Sequence, residues 1–155
     1  MMGRQSLAEY VRGVLLACPE ISPSSPEMCI DWLGNKPTRY SIEAEPTAQV
    51  VRRYNDGETQ RRVSVSLLGR FDVFTDEDRA ANAQLYEGLS LWLEHQTRFR
   101  LLPPMWEGAT PRKLLATGGA YLETMDESGD SAAYRMQIEF IYNQKEIGGS
   151  QDETE

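Results

Sequence analysis

Apolar and polar positions alternate most clearly in two parts of the chain. Around residues 48–71, Ala48-Gln49-Val50-Val51-Arg52-Arg53-Tyr54 and Arg61-Arg62-Val63-Ser64-Val65-Ser66-Leu67 flank Asn55-Asp56-Gly57-Glu58. Two β-prone runs joined through Asp-Gly predict a hairpin, because Gly supplies the positive φ of a tight turn. In the second arm Val63, Val65 and Leu67 face one way and Arg62, Ser64 and Ser66 the other, so one face is buried and one is wet or covered by a partner. Residues 132–142 repeat the pattern, with Tyr134, Met136, Ile138, Phe140 and Tyr142 on one face and Arg135, Gln137 and Glu139 on the other.

Helical spacing marks two further segments. Leu7, Tyr10, Val11, Val14 and Leu15 form one stripe, with Ser6 and Glu9 as a capping box and Pro19 as the stop. A longer helix opens at Thr75, with acids in its first turn, and presents Ala81, Leu85, Leu89, Trp92, Leu93 and Gln96 inward. Leu91 falls on the opposite side and marks a candidate subunit contact. The helix fades near residue 99 ahead of Pro103-Pro104. Residues 21–27 read as a loop, and residues 29–33 and 38–43 as short strands, the latter with Tyr40 and Ile42 on one face. Residues 105–111 read as a loop in which Trp106 lids the core. Residues 113–116 and 120–125 read as one strand broken at Gly118-Gly119, followed by a turn at 126–130. Strands joined by hairpins with two helices predict an α+β fold: a mixed, mainly antiparallel sheet carrying an N-terminal helix and one long helix. Residues 1–142 form the single predicted domain, and residues 143–155 a flexible acidic tail.

Composition narrows the function. A chain of 155 residues with 40% apolar content is sized for one core, and no apolar run approaches a membrane span. The N-terminal region has no continuous apolar stretch of the signal-peptide kind, and Cys18 and Cys29 read as reduced thiols of a cytosolic protein. Net charge is −8, distributed unevenly: residues 121–155 hold 2 basic and 9 acidic side chains, whereas residues 50–70 hold five Arg against Asp56 and Glu58. Such polarity suits head-to-tail attraction between copies, and 13 of the 16 basic residues are Arg, whose planar fork matches carboxylates.

The residues of catalysis are sparse. His95 is the sole histidine and is expected to be structural; no HExxH, paired CxxC, calcium-loop or Walker motif is present. The expectation is no enzyme, no catalytic residue, no metal and no cofactor. Sequence-specific nucleic-acid binding is disfavoured by the −8 charge, and no membrane role is expected.

The order of several segments carries a resemblance. Leu7-Ala8-Glu9-Tyr10-Val11, Ile30-Asp31-Trp32-Leu33-Gly34-Asn35-Lys36-Pro37, Tyr40-Ser41-Ile42-Glu43, Val51-Arg52-Arg53-Tyr54-Asn55-Asp56-Gly57, Leu89-Ser90-Leu91-Trp92-Leu93-Glu94 and Ala133-Tyr134-Arg135-Met136-Gln137-Ile138 resemble a family of small phage tail proteins. These are the tail terminator or tail completion (minor capsid) proteins of phages and prophages of Gram-positive bacteria. The resemblance spans about residues 7–142 and implies an α+β homo-oligomer, a hexameric ring closing the head-proximal end of the tail tube. It implies no catalysis and no cofactor, the tail tube protein and neck or connector proteins as partners, and a place in the virion after assembly in the bacterial cytoplasm. The acidic residues after Asn143 fit the family poorly. The Arg-rich hairpin and the sheet edge at 121–142 are expected among the ring's contact patches, and candidate subunit or tube contacts are Arg52, Arg53, Arg61, Arg62, Leu91, Trp106, Arg135 and Glu139. The alternatives are a head–tail connector or minor capsid component of the same neck, an acidic inhibitor that mimics DNA charge, and an enzyme with a pocket around His95 or Cys29.

Overall fold

The computed structural model describes residues 6–19, 21, 28–30, 39–44, 48–73, 75–118, 120–125, 127, 129 and 131–145. Its elements are α1 (Leu7–Leu16), β1 (Met28–Ile30), β2 (Arg39–Ala44), β3 (Gln49–Arg53), β4 (Thr59–Asp72), α2 (Asp76–Arg98), β5 (Ala109–Ala116), β6 (Tyr121–Met125) and β7 (Ser131–Gln144). The fold is α+β, as the sequence predicts.

The sheet is organised by β4 and β7, which are antiparallel and paired at every residue from Thr59↔Gln144 to Asp72↔Ser131. At about 3.4 Å per residue this pair is about 45 Å long. β7 occupies one edge of β4 throughout, so β2 and β3 share the other edge, β2 opposite residues 65–70 and β3 opposite residues 59–62. Likewise β5 and β6 share the outer edge of β7 in line with one another. β1 adds to β2 in parallel. At each level the β2/β3–β4–β7–β5/β6 body is four strands wide, about 14 Å across between the outer strands.

One face is the core. Val63, Val65 and Leu67 of β4 and Met136, Ile138, Phe140 and Tyr142 of β7 are buried beneath Tyr10, Val11, Val14 and Leu15 of α1 and Leu89 and Leu93 of α2. Both capping boxes form: the Ser6 hydroxyl accepts from the Glu9 amide, and the Thr75 hydroxyl from the Asp78 amide. α1 is fixed by Tyr10, whose ring stacks on Phe140 at 5.2 Å and whose hydroxyl donates to the Pro103 carbonyl at 2.6 Å.

Several boundaries shift from the sequence reading. The hairpin forms, with Gly57 at φ 91° and the Tyr54 amide donating to the Glu58 carbonyl. β5 begins at Ala109, earlier than the predicted Lys113, and takes in Pro111, which an edge strand tolerates. β7 continues through Asn143 and Gln144, which the sequence reading assigns to the tail; Asn143 is buried and its Nδ2 donates to Glu58 Oε2 at 2.6 Å. The inward face of α2 is Asn82, Tyr86, Leu89 and Leu93, with Leu85, Trp92 and Gln96 half-buried and Ala81 exposed. Tyr86 is inward because the helix crosses an aromatic cluster rather than an aliphatic floor. The predicted strand at 29–33 is described only over Met28–Ile30, and residues 31–33, the loop at 22–27, most of the 126–130 turn and the acidic residues after Lys145 lie outside the described residues.

That cluster turns on Gly69. Phe71 meets Tyr40, Tyr86 and Tyr134 edge-on at 5.6, 5.9 and 6.1 Å. A Cβ at Gly69 would lie 2.5 Å from the Phe71 ring and 2.6 Å from the Tyr86 hydroxyl, so the missing side chain makes the room both rings occupy. The Tyr86 hydroxyl has no hydrogen-bond partner among the described residues, and burial raises its pKa well above the usual tyrosine value.

Gly69→Ala is expected to cost about 1–3 kcal/mol by overpacking. Tyr86→Phe is expected to gain about 1 kcal/mol, because it removes an unsatisfied buried hydroxyl. Urea unfolding measures both. Stability should also fall above about pH 10, where the unfolded chain ionises its tyrosines while buried Tyr86 keeps its proton. Tyr10, pushed up to about 12 by burial, adds to the same loss. Tyr86→Phe should make that alkaline decline shallower.

Candidate assembly surfaces

The face away from the helices is polar. β4 places Arg62, Ser64 and Ser66 there, and β7 places Arg135, Gln137 and Glu139 beside them. The Ser66 hydroxyl donates to Gln137 Oε1 at 3.1 Å, and Arg62 Nε lies 3.6 Å from Glu139 Oε2. Arg135 spans the sheet: it forks onto both oxygens of Glu123 on β6 and donates to Glu43 Oε1 on β2 at 3.2 Å. Glu123 reaches it because it is the extra residue of a bulge between Leu122 and Thr124, and bulges re-aim side chains. The hydrogen bond from Arg135 holds the Glu123 carboxyl below its usual pKa, and the same contact raises the guanidinium further.

The candidate contacts therefore separate into groups. Arg135, only 18% exposed, and Glu139 are engaged in ion pairs within the chain. Trp106 is half-buried, packs on Tyr142 at 5.7 Å and donates from Nε1 to Gln144 Oε1 at 2.8 Å, fixing the loop before β5 to the end of β7. The four hairpin arginines do not share a face. Register places Arg52 and Arg62 on the open face and Arg53 and Arg61 on the helix side. Arg61 Nε donates to Thr59 Oγ1 at 3.0 Å, and Arg62 Nη2 to Gln49 Oε1 at 2.9 Å. Arg52 and Arg53 stay exposed with no ion pair among the described residues, beside exposed Val51 and Tyr54. Val51 is the extra residue of a bulge, which with the arginines blunts β3 against indiscriminate strand pairing.

The opposite margin has different chemistry. Leu91 is 66% exposed on the outer side of α2, as its spacing predicts. β6 is exposed along its whole length and shows Tyr121, Leu122 and Met125 to solvent, three apolar side chains on the 121–142 edge that the candidate contacts do not include. Its signal was Tyr121-Leu122-Glu123-Thr124-Met125, which lacks the alternation of a strand with one buried face. A cavity of about 640 Å³ lies between α2 and the β5–β6 junction, lined by Tyr86, Glu87, Leu91, Gly118 and Tyr134 among others. Exposed Glu87 lines this cavity, and exposed Glu94 lines a smaller hollow that shares Leu91. His95 is exposed against Phe99 at 4.8 Å, and Cys18 is buried. Cys29's side chain lies outside the described residues. Among the described residues no group of three His, Cys, Asp or Glu is placed to hold a metal ion, and no helix is long and apolar enough to cross a membrane.

No protein-family model matches the sequence, and no curated protein matches it.

The Arg135–Glu123 pair should be visible in acid. A carboxyl with a lowered native pKa stabilises the fold fully above the unfolded value of about 4.3 and loses that contribution as pH falls through the native value. Glu123→Gln is expected to cost about 0.5–1 kcal/mol at pH 7, the scale of a partly screened pair. In denaturant titrations the gap between wild type and variant should begin to close as pH falls below the unfolded value of about 4.3 and vanish once pH is below the lowered native value.

Proposed function

We propose that this chain is a structural protein of the neck of a phage or phage-tail-like particle, a tail terminator whose copies form a ring capping the head-proximal end of the tail tube. The observation that carries the reading is the unlikeness of the two sheet margins. One ends in a hairpin whose Arg52 and Arg53 have no ion pair among the described residues; the β6 half of the other exposes Tyr121, Leu122 and Met125, with exposed Leu91, Glu87 and Glu94 on α2. A closed cyclic ring is built from heterologous contacts, each pairing one patch with a different patch on the next copy. The cationic hairpin and the β6 half of the opposite margin, with the α2 carboxylates beside it, differ in the way that requirement needs, whereas the β5 half of that margin carries cations of its own. The order of the family-like segments supports the same assignment. The polar open face, tied together by Arg135 and the Ser66–Gln137 bond, is then left for the lumen or for neighbouring neck and tube proteins.

Light scattering on the purified chain, alone and with its tail tube protein, tests the reading. A ring in either sample supports it, and a monomer that ignores the tube overturns it. Reversing Arg52 and Arg53 to Glu should leave the thermal midpoint within about 2 °C, since surface changes usually stay within about 0.5 kcal/mol. The same variant should weaken assembly by tenfold or more, the scale of about 1.4 kcal/mol in a charged contact. Rings that survive the double reversal would remove the hairpin from the interface.

A further inference from the structure

A second cavity, of about 520 Å³, opens where the end of α2 meets β5. Three cations line it, Arg100, Arg112 and Lys113, together with the neutral Gln60 and Thr110 and the apolar Leu102, Pro111 and Ile141. No carboxylate lines it, and none of the three cations forms an ion pair among the described residues.

Two departures from regular backbone bring these cations together. Arg100 sits at φ 57°, the left-handed position after a helix that usually takes Gly. The cap around it is a full Schellman motif: the Leu101 amide donates to the Gln96 carbonyl and the Arg100 amide to the Thr97 carbonyl. The helix-end carbonyls at Gln96 and Thr97 are thus occupied by amides. Arg112 is the extra residue of a bulge between Pro111 and Lys113. The bulge turns it toward the same cavity that Lys113 reaches from the regular strand. Thr97 fixes the relation of the two segments, its hydroxyl accepting from the Leu114 amide at 3.0 Å and donating to the Leu114 carbonyl at 3.2 Å. A residue in strained backbone, a bulge and an unneutralised triple charge at one cavity mark a site for a ligand.

We propose that this cavity binds an acidic peptide segment of a partner protein, with the three cations holding its carboxylates. Arg forks match carboxylates in bidentate geometry, and the apolar and amide-bearing walls suit peptide backbone and side-chain stems. A nucleic-acid strand is disfavoured, because no aromatic side chain lines the cavity for its bases to stack on. The site reaches from β5 across Ile141 of β7 to Gln60 of β4, the register partner of Arg52, and stands whether or not the chain forms rings.

Fluorescence anisotropy with a labelled hexaglutamate peptide, titrated with the full chain, tests the proposal. The peptide should bind, with affinity falling as salt rises, and a hexalysine peptide should not. Arg112→Gln alone should weaken binding several-fold, and Arg100→Gly with Arg112→Gln and Lys113→Gln at least tenfold. Arg100→Gly alone separates binding from folding: the thermal midpoint should rise by about 2–4 °C as the left-handed strain is relieved, while affinity falls. Circular dichroism checks that the triple variant is folded. Failure of the peptide to bind, or unchanged affinity in Arg112→Gln, overturns the proposal. So does stronger competition by a single-stranded oligonucleotide of equal charge than by unlabelled peptide.

Discussion

The structure depends on the uninterrupted pairing of β4 with β7. Fourteen residues on each strand meet in a single register, so the period-2 alternation of both sequences falls in phase over about 45 Å. A slip of one residue would turn Val63, Val65 and Leu67 to solvent and bring Arg62 and Ser64 under the helices. Burying one unpaired charge there costs several kcal/mol, far more than any single ladder bond contributes. The register is therefore held by the helices as much as by the strands. Tyr10 on Phe140 and Tyr86 over Gly69 fit only one alignment of the floor.

A central pair of that length leaves long outer edges, and each is managed differently. The β5 edge is met by α2, whose Thr97 hydroxyl takes both backbone groups of Leu114. β3, β5 and β6 each carry one bulge, at Val51, Arg112 and Glu123. Bulges at edges both discourage extra pairing and redirect a side chain. In β6 the redirected side chain completes the Arg135 clasp across the sheet. In β5 it adds a cation to a cavity, and in β3 it exposes a valine beside two arginines.

Much of this was legible in the sequence because it is local. Alternation in residues 63–67 and 134–142 gave the core faces, Asp56-Gly57 the turn, and Ser6 and Thr75 the helix starts. What was not legible depends on tertiary placement. Pro111 reads as loop until the strand beside it proves to be an edge. Tyr86 is absent from the predicted stripe although its spacing from Leu89 and Leu93 puts it on that face, and nothing local reveals that Gly69 leaves a hollow beneath it. The bulges carry no signature in Val51, Arg112 or Glu123 themselves, since they follow from mismatch with partner strands. Arg100 is the hardest, as a left-handed cap is normally signalled by Gly or Asn. Among the candidate contacts, Leu91 was readable from helical phase alone, whereas the engagement of Arg135 and Glu139 within the chain required the sheet order.

The distribution of paired and unpaired cations bears most directly on function. Acids outnumber bases by 24 to 16, so neutralising partners are plentiful, and Arg62 and Arg135 have found them on the open face. Arg52, Arg53, Arg100, Arg112 and Lys113 have not, among the described residues. In an acidic molecule, unpaired cations attract ambient anions and concentrate the local potential at two separate places. Neither place gains fold stability from its charge, and at Arg100 the backbone is less favourable than Gly would make it. Charges without ion-pair partners among the described residues, on opposite margins of one sheet, are the ones open to contacts outside the chain. The two sets are joined across the sheet by Gln60, which lines the cavity and is the register partner of Arg52, so occupation of one would be felt at the other.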